Sequence, residues 1–259
     1  VLVSLLLLLT GFVSVVWTPL PLEQLDLAAS MQGPSAAHLL GVDTFGRDVL
    51  SLVMKAVLTS FVVAAVGLAL GLFVGVPLGA VAGIAGPRAD RAMEGAAGVL
   101  LALSALGSAA ILFVHLGPSA LNAMLAIGLF NIAVVARVTR RLVGAQRGRD
   151  DVAAARLAGL GGWELVRRHM LPELLPDFGR LAALLLAGGV LLEAALSFAG
   201  LAAPPGGASL GLMLREARPV MMAQPLLMLV PAAALTLIAL GLHLVATGLD
   251  RRQGGEHAA

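Results

Sequence analysis

The sequence predicts an all-α protein that crosses a membrane several times, and three observations carry that prediction. Apolar residues make up 59% of the 259 and charged residues only 12%, with a mean hydropathy of +0.97. That leaves too little polar surface to clothe a water-soluble fold. Apolar runs close to the length a helix needs to span the hydrocarbon core, about 20 residues, recur along the chain. Arginine is concentrated in alternate joins between those runs.

Six runs qualify or nearly so: 1–17, 58–85, 95–115, 120–136, 181–200 and 225–247. The first opens at Val1 without a methionine, so residues before it are expected. It reads as a span; a cleaved signal peptide is the alternative, with the DLAAS of residues 26–30 as a cleavage-like sequence. Most of the 31 glycines fall inside apolar runs, where small residues let helix backbones approach closely.

The joins are polar. Segment 18–57 is irregular and carries Pro19, Pro21 and Pro34; 86–94 and 116–119 are short; 137–180 is long; 201–224 is rich in Pro and Gly; and 248–259 is a tail. One set of alternate joins holds Arg88, Arg91, Arg137, Arg140, Arg141, Arg147, Arg149, Arg156, Arg167, Arg168, Arg180, Arg251 and Arg252. The other holds only Arg47, Lys55, Arg215 and Arg218. The excess of basic residues on cytoplasmic loops then places both termini and the 137–180 loop in the cytoplasm, with 18–57 and 201–224 outside.

Several classes of function are excluded. There is no cysteine, hence no disulfide, thiolate metal site or thiol nucleophile. The one lysine, Lys55, is not preceded by a glycine-rich phosphate loop, so the chain does not bind ATP in that manner. The pI of about 10.3 accompanies a formal net charge of only +2 and arginines sorted by membrane side, which does not describe a nucleic-acid binder. HExxH is absent and no adjacent His/Asp pair sits on a span, arguing against a membrane enzyme. A secondary transporter would show inverted repeats and paired intramembrane charges. The spans hold one acidic residue, Glu193, with His115 and His243 near span ends. Glu193 is the functional suspect among them, because only a protein-facing or water-facing position tolerates a charge there.

Three stretches carry further information. Residues 151–176 form a polar helix–turn–helix: small residues at Ala153, Ala154 and Ala155, a turn at Gly159, Gly161 and Gly162, then an amphipathic helix with Trp163, Leu165 and Met170, broken by Pro172 and Pro176. Taken alone it reads as an ordinary amphipathic surface helix between spans rather than as a rigid docking knob. Residues 38–51 place Asp43, Arg47 and Asp48 where they can build an ion-pair and capping cluster ahead of the second span. Residues 193–214 follow Glu193 with a Pro- and Gly-rich segment.

All three resemble signatures of the permease subunits of ATP-driven (ABC) importers. Ala153, Ala154, Ala155 and Gly159 stand at the E-A-A-x3-G positions of the family's cytoplasmic loop, and His169, Met170, Leu171 and Pro172 at its I-x-L-P. Ala153 replaces the glutamate and His169 the isoleucine. Gly41, Asp43, Gly46, Arg47, Asp48 and Ser51 match the G-T-D-x-x-G-R-D-x-x-S of dipeptide, oligopeptide and nickel permeases, with Val42 at the threonine. Glu193, Ala195, Leu196, Ser197, Phe198, Gly200, Leu201, Pro204, Pro205, Ser209, Gly211, Met213 and Leu214 match the family's E-x-A-L-S-F-L-G-L-G-x-x-P-P segment and its continuation. ARVTR (136–140) and GLDRR (248–252) are similar to family segments as well.

The resemblance implies a six-helix type I importer permease of the bacterial inner membrane, non-catalytic, in the peptide and nickel class. Residues 1–17 would be the first span, 18–57 an extracytoplasmic segment, 58–252 the core with its coupling loop at 137–180, and 253–259 a cytoplasmic tail. The resemblance also implies the partners: a second homologous permease, two cytoplasmic subunits that bind ATP and Mg, an external solute-binding protein and membrane lipids. No cofactor belongs to this chain. Coupling to the ATPase falls to Ala153, Ala154, Ala155, Arg156, Gly159, Gly162, Trp163, His169, Leu171 and Pro172. The outer mouth of the path falls to Glu193, Ser197, Phe198, Gly200, Pro204, Pro205 and Met213. Peptides lead as cargo, with nickel complexes, glutathione and haem-like ligands as alternatives.

Overall fold

A computed structural model describes residues 2–21, 26–147, 149–157, 159–202 and 207–256; the side chains at 87, 116, 151, 153, 155, 156 and 249–256 are outside that description. Among the described residues the regular structure is helical, apart from one isolated antiparallel bridge between Val42 and Asp48. The helices are α1 Leu2–Val13, α2 Val49–Ala85, α3 Pro87–Ala102, α4 Ser104–Leu116, α5 Ala120–Gln146, α6 Asp150–Leu157, α7 Gly162–Leu165, α8 Leu171–Glu173, α9 Leu175–Phe198, α10 Leu210–Ala217 and α11 Leu226–Glu256. A π-helical turn, Val166–Met170, joins α7 to α8.

Among the described residues, four helices are long and apolar enough to cross a membrane: α2, α5, α9 and the Leu226–Gly248 part of α11. The run at 95–115 is not one straight helix. Its two halves, α3 and α4, meet at 71° and count as a fifth crossing only if taken together. The break sits at Ser104, a non-glycine residue at φ +50°, whose hydroxyl accepts the Gly107 N–H at 3.2 Å and so starts a new helix. Helix α1 has 12 residues, a rise of about 18 Å against a hydrocarbon core of roughly 30 Å. It packs on α2 and α11 through Ser4, which donates to the Leu237 carbonyl at 2.6 Å, and through Phe12 against Phe61.

Two expected boundaries move. Helix α2 starts at Val49 rather than 58, because Asp48 caps it. Helix α5 continues to Gln146, because its polar end is clothed by α3: Arg137 pairs with Glu94 at 3.0 Å, and Arg140 with Glu94 at 2.8 Å and with Asp90. The long join therefore shrinks to the stretch between Gln146 and Leu175.

The 37 residues of α2, roughly 55 Å of helix, form the axis of the molecule. Its glycines at 67, 71, 75, 79 and 83 recur every fourth residue and form one stripe along the helix. That stripe seats α5. A Cβ on Gly67, Gly71, Gly75 or Gly83 would lie 2.5–2.9 Å from Ile127, Asn131, Ile132 or Val143, and one on Gly79 would meet the Ala136 carbonyl oxygen. Backbones this close gain dispersion contacts, the main attraction available to helices in lipid. On the other side of α2, Val53 and Val57 join Val190 and Ala194 of α9, Leu210 and Met213 of α10, and Leu235 and Ile238 of α11 in a buried core. Large apolar side chains such as Phe73, 83% exposed, point outward.

Candidate functional site

The turn before α2 is held by its own side chains. Gly41 and Gly46 take left-handed backbone, at φ +82° and +81°, and a Cβ at Gly46 would collide with the Asp26 backbone. Between them Asp43 folds the turn. It accepts the N–H groups of Phe45 and Arg47, each at 2.8 Å, and Nε of Arg47 at 2.6 Å. The other arm of Arg47 reaches Glu216 on α10 at 2.6 Å, and its guanidinium lies 4.9 Å from the Phe45 ring centre. Asp48 caps α2 by accepting both the N–H and the hydroxyl of Ser51 at 2.9 Å, while His38 Nδ1 stands 3.1 Å from its other oxygen. Ser51 in turn accepts the Leu20 N–H at 3.0 Å. Asp43, Arg47, Asp48 and Ser51 are all buried. Burial pushes the Glu216 carboxyl above its ordinary value of 4.5, with Arg47 pulling it the other way.

Helix α10 then reaches the buried acid. Gly211 packs directly on the Ala194 carbonyl of α9, so the two helices touch backbone to backbone. Ser209 starts α10 but does not cap it; its hydroxyl donates instead to Oε1 of Glu193 at 2.8 Å. Ser197, one turn along α9, donates to the same oxygen at 2.6 Å. Glu193 is 2% exposed, and its Oε2 is buried with no partner among the described residues. It forms part of the wall of a cavity of about 120 Å³ with Thr59, Val63, Ala120, Ala123, Ala202, Gly207 and Ala208. Helix α10 therefore joins the 38–51 turn, through Glu216, to Glu193, through Ser209.

At the other end of α2 and α5, α6 to α8 form a hairpin turned by Gly159, at φ +88°. One face is packed: Val152, Leu165, Val166, Met170 and Leu174 are buried against Ala80 and Val143. The opposite face is open, with Leu157 90% and Trp163 49% exposed. Ala154, Gly159, Gly162, His169 and Pro172 are exposed, and Leu171 is half-buried. Pro172 and Pro176 flank the turn at Leu174, where α8 ends and α9 begins. Pro172 follows the π turn, in which the Leu171 N–H reaches the Val166 carbonyl, and Pro176 lies in the first turn of α9. A proline N–H is not needed in a first turn.

The chain matches the family described as "Binding-protein-dependent transport system inner membrane component" over residues 75–255. It belongs to that family. It is 33% identical over 238 residues to the "Probable D,D-dipeptide transport system permease protein" of Escherichia coli K12, covering 90% of this chain and 80% of the relative. It is 32% identical over 244 residues to the nickel transport system permease protein of the same organism, covering 94% and 88%. Against the glutathione transport system permease protein of Pectobacterium atrosepticum it is 30% identical over 218 residues, covering 84% and 72%. The expected likeness to peptide- and nickel-class permeases is thus found. The chain is a multi-pass inner-membrane component of a binding-protein-dependent transport system.

Within this inner membrane component, the structure brings together the whole 38–51 set: Gly41, Asp43, Gly46, Arg47, Asp48 and Ser51. It brings Glu193 and Ser197 together as well. Gly200 ends α9 at φ +83° against the Arg215 guanidinium, Phe198 is 39% exposed, and Met213 is packed in the core rather than exposed on a wall. Pro204 and Pro205 lie outside the described residues, as do the side chains of Ala153, Ala155 and Arg156. Glu216 and His38 are partners that the sequence does not single out, and Ser209, matched there only as part of the 193–214 segment, proves to be a partner of Glu193. The Arg47–Glu216 pair links positions 169 residues apart, which no local pattern reveals.

Proposed function

We propose that this chain is one of two transmembrane permease subunits of an ATP-driven importer whose cargo is peptides. Six crossings are counted if α1 and the α3–α4 pair each make one, and both termini then face the cytoplasm. The observation that carries the reading is the hairpin at 150–173: a rigid, half-packed helical knob with an uncovered apolar face, on a chain with no phosphate loop of its own. Force generated by ATP closure elsewhere has to enter through such a contact. Ala154, Gly159, Gly162, Trp163, His169, Leu171 and Pro172, with Ala153, Ala155 and Arg156, form its docking face. Two ATPase subunits engage the hairpins of this chain and of a homologous permease. An external binding protein delivers solute to the side carrying the 38–51 turn and α10, where Glu193, Ser197, Phe198 and Gly200 surround the outer mouth. The cycle is a population shift between two packings of the same helices. No covalent chemistry is performed here.

Peptide cargo is favoured by the dipeptide relative; nickel complexes and glutathione are second readings, favoured by the names of the other two. Co-purification from the native membrane tests the assembly. An ATPase and a second permease should accompany the chain in detergent, and a transport-competent homo-oligomer of this chain alone would overturn the proposal. Sidedness has its own test. A cysteine at Ala208 should react with an impermeant reagent from outside, and one at Ala154 should not.

A further inference from the structure

We propose that Glu193 and the cavity beside it form a site for an ammonium group, a cationic hydrogen-bond donor. The argument starts from an imbalance of donors and acceptors. A carboxylate offers about four lone-pair positions. At Glu193, Oε1 takes the hydroxyls of Ser197 and Ser209, whereas Oε2 is buried and takes nothing among the described residues. Among the described residues the only other polar side chain in the cavity wall is Thr59, and its hydroxyl hydrogen is spent on the Lys55 carbonyl at 3.0 Å. The remaining wall is Val, Ala and Gly. The side chains around the space thus present lone pairs and no donor, so they exclude an anion and call for a donor.

Size agrees with that chemistry. A space of about 120 Å³ takes a small polar group and a few waters, since one water needs roughly 10–15 Å³ of such volume. An unpaired carboxylate in this setting is costly, and a bound cation removes the cost. The ammonium can come from two sources, a free ion or the amino terminus of a transported solute. The second source rests on the importer reading; the first does not.

The test uses the full chain in lipid nanodiscs at pH 7, with any subunits that stay bound, and follows carboxylate infrared bands. Ammonium chloride should give a saturable difference band that is lost in Glu193→Gln, a variant that keeps the oxygen to which Ser197 and Ser209 donate. Tetramethylammonium chloride has the charge but no N–H, and should give no band. Should Glu193→Gln fail to reach the membrane, Ala208→Leu fills the cavity from another wall and should abolish the same band. Half-saturation by glycylglycine at a concentration at least tenfold below ammonium, with no response to N-acetyl-glycylglycine, assigns the ammonium to the solute. A response to ammonium alone assigns a free-ion site. The proposal is overturned by a band that persists in Glu193→Gln, by an equal response to tetramethylammonium, or by no response to either amine. A protonated-carboxyl band in the wild type that Glu193→Gln removes and ammonium does not would show that a proton fills the role. Neither the ATPase nor the binding protein enters the readout, so failure of the importer assembly leaves this result standing.

Discussion

The 38–51 turn and the 150–173 hairpin are both polar joins between spans, yet they are built in opposite ways. In the turn, charge is buried and answered: Asp43, Arg47 and Asp48 each find fixed partners within the fold, and one of those partners lies on α10. Among the described side chains of the hairpin, charge is exposed. The Arg168–Glu164 pair at 3.1 Å and the Arg149–Glu173 pair at 2.8 Å stand in solvent, where such pairs contribute about 0–1 kcal/mol. What the hairpin leaves unanswered is apolar surface, at Leu157 and Trp163. A join that satisfies itself sets geometry. A join that leaves an apolar face uncovered on a packed base is suited to a partner. The same contrast separates effects on stability from effects on coupling.

The largest loss of stability should come from Arg47→Met. It leaves Asp43 and Glu216 both facing a buried gap, and removing one partner of a buried ion pair costs on the order of 3–5 kcal/mol. Thermal unfolding in detergent reads this directly. Arg168→Met at the hairpin is the matched control and should change stability by less than about 0.5 kcal/mol. Equal losses in the two variants would erase the distinction between the joins.

Asp48→Ala comes next. It removes the α2 cap and the group facing His38, and loss of a cap costs about 0.5–2 kcal/mol. Because α2 is the axis for α5, α9 and α1, the loss should appear as earlier proteolysis between Leu40 and Met54 rather than as local fraying without consequence. A protease pattern identical to the wild type would show that the turn is held without its cap.

These two residues also mark how far the sequence could be read. Asp43, Arg47 and Asp48 lie within six positions of one another, so local chemistry made their cluster foreseeable. Glu216 was not, because its approach to Arg47 depends on how α10 folds back over α2. The fourfold spacing of glycines on α2 is present in the sequence, within its general glycine enrichment. Read as a small-residue stripe, it would have located the α2–α5 contact. The bend at Ser104 and the π turn at 166–170 had no such signal. Both arise where tertiary packing overrides a run that reads as plain helix.

A weaker effect probes the bond between the turn and α10. The Glu216 carboxyl is held above its ordinary 4.5 by burial, so the folded state keeps its proton longer than the unfolded state does. As pH rises from 4.5 toward the folded-state value, the unfolded chain releases its proton first, and stability falls over that window and then levels off. Glu216→Gln removes this titration. The stability difference, wild type minus variant, should therefore decline with rising pH just above 4.5 and become flat at neutral pH. A difference that grows with pH there would mean that Arg47 outweighs burial at this carboxyl.

The smallest effect on stability, and the one that separates the two joins most cleanly, belongs to Trp163→Ala. Trp163 is half exposed and lies outside the buried set of Leu165, Val166 and Met170, so its truncation should leave thermal stability within about 0.5 kcal/mol of the wild type. If the hairpin is the contact for an ATPase subunit, the indole is its natural anchor, since aromatic anchors dominate such interfaces at about 2 kcal/mol or more each. ATPase stimulation by the loaded binding protein should then fall severalfold while the membrane spans still assemble. Leu165→Ala on the packed face should do the reverse, costing stability through a cavity of its own, by about 2–5 kcal/mol, before it touches coupling. If both variants lose stability together, the exposed face is only the back of a surface helix, and the hairpin sets geometry as the 38–51 turn does.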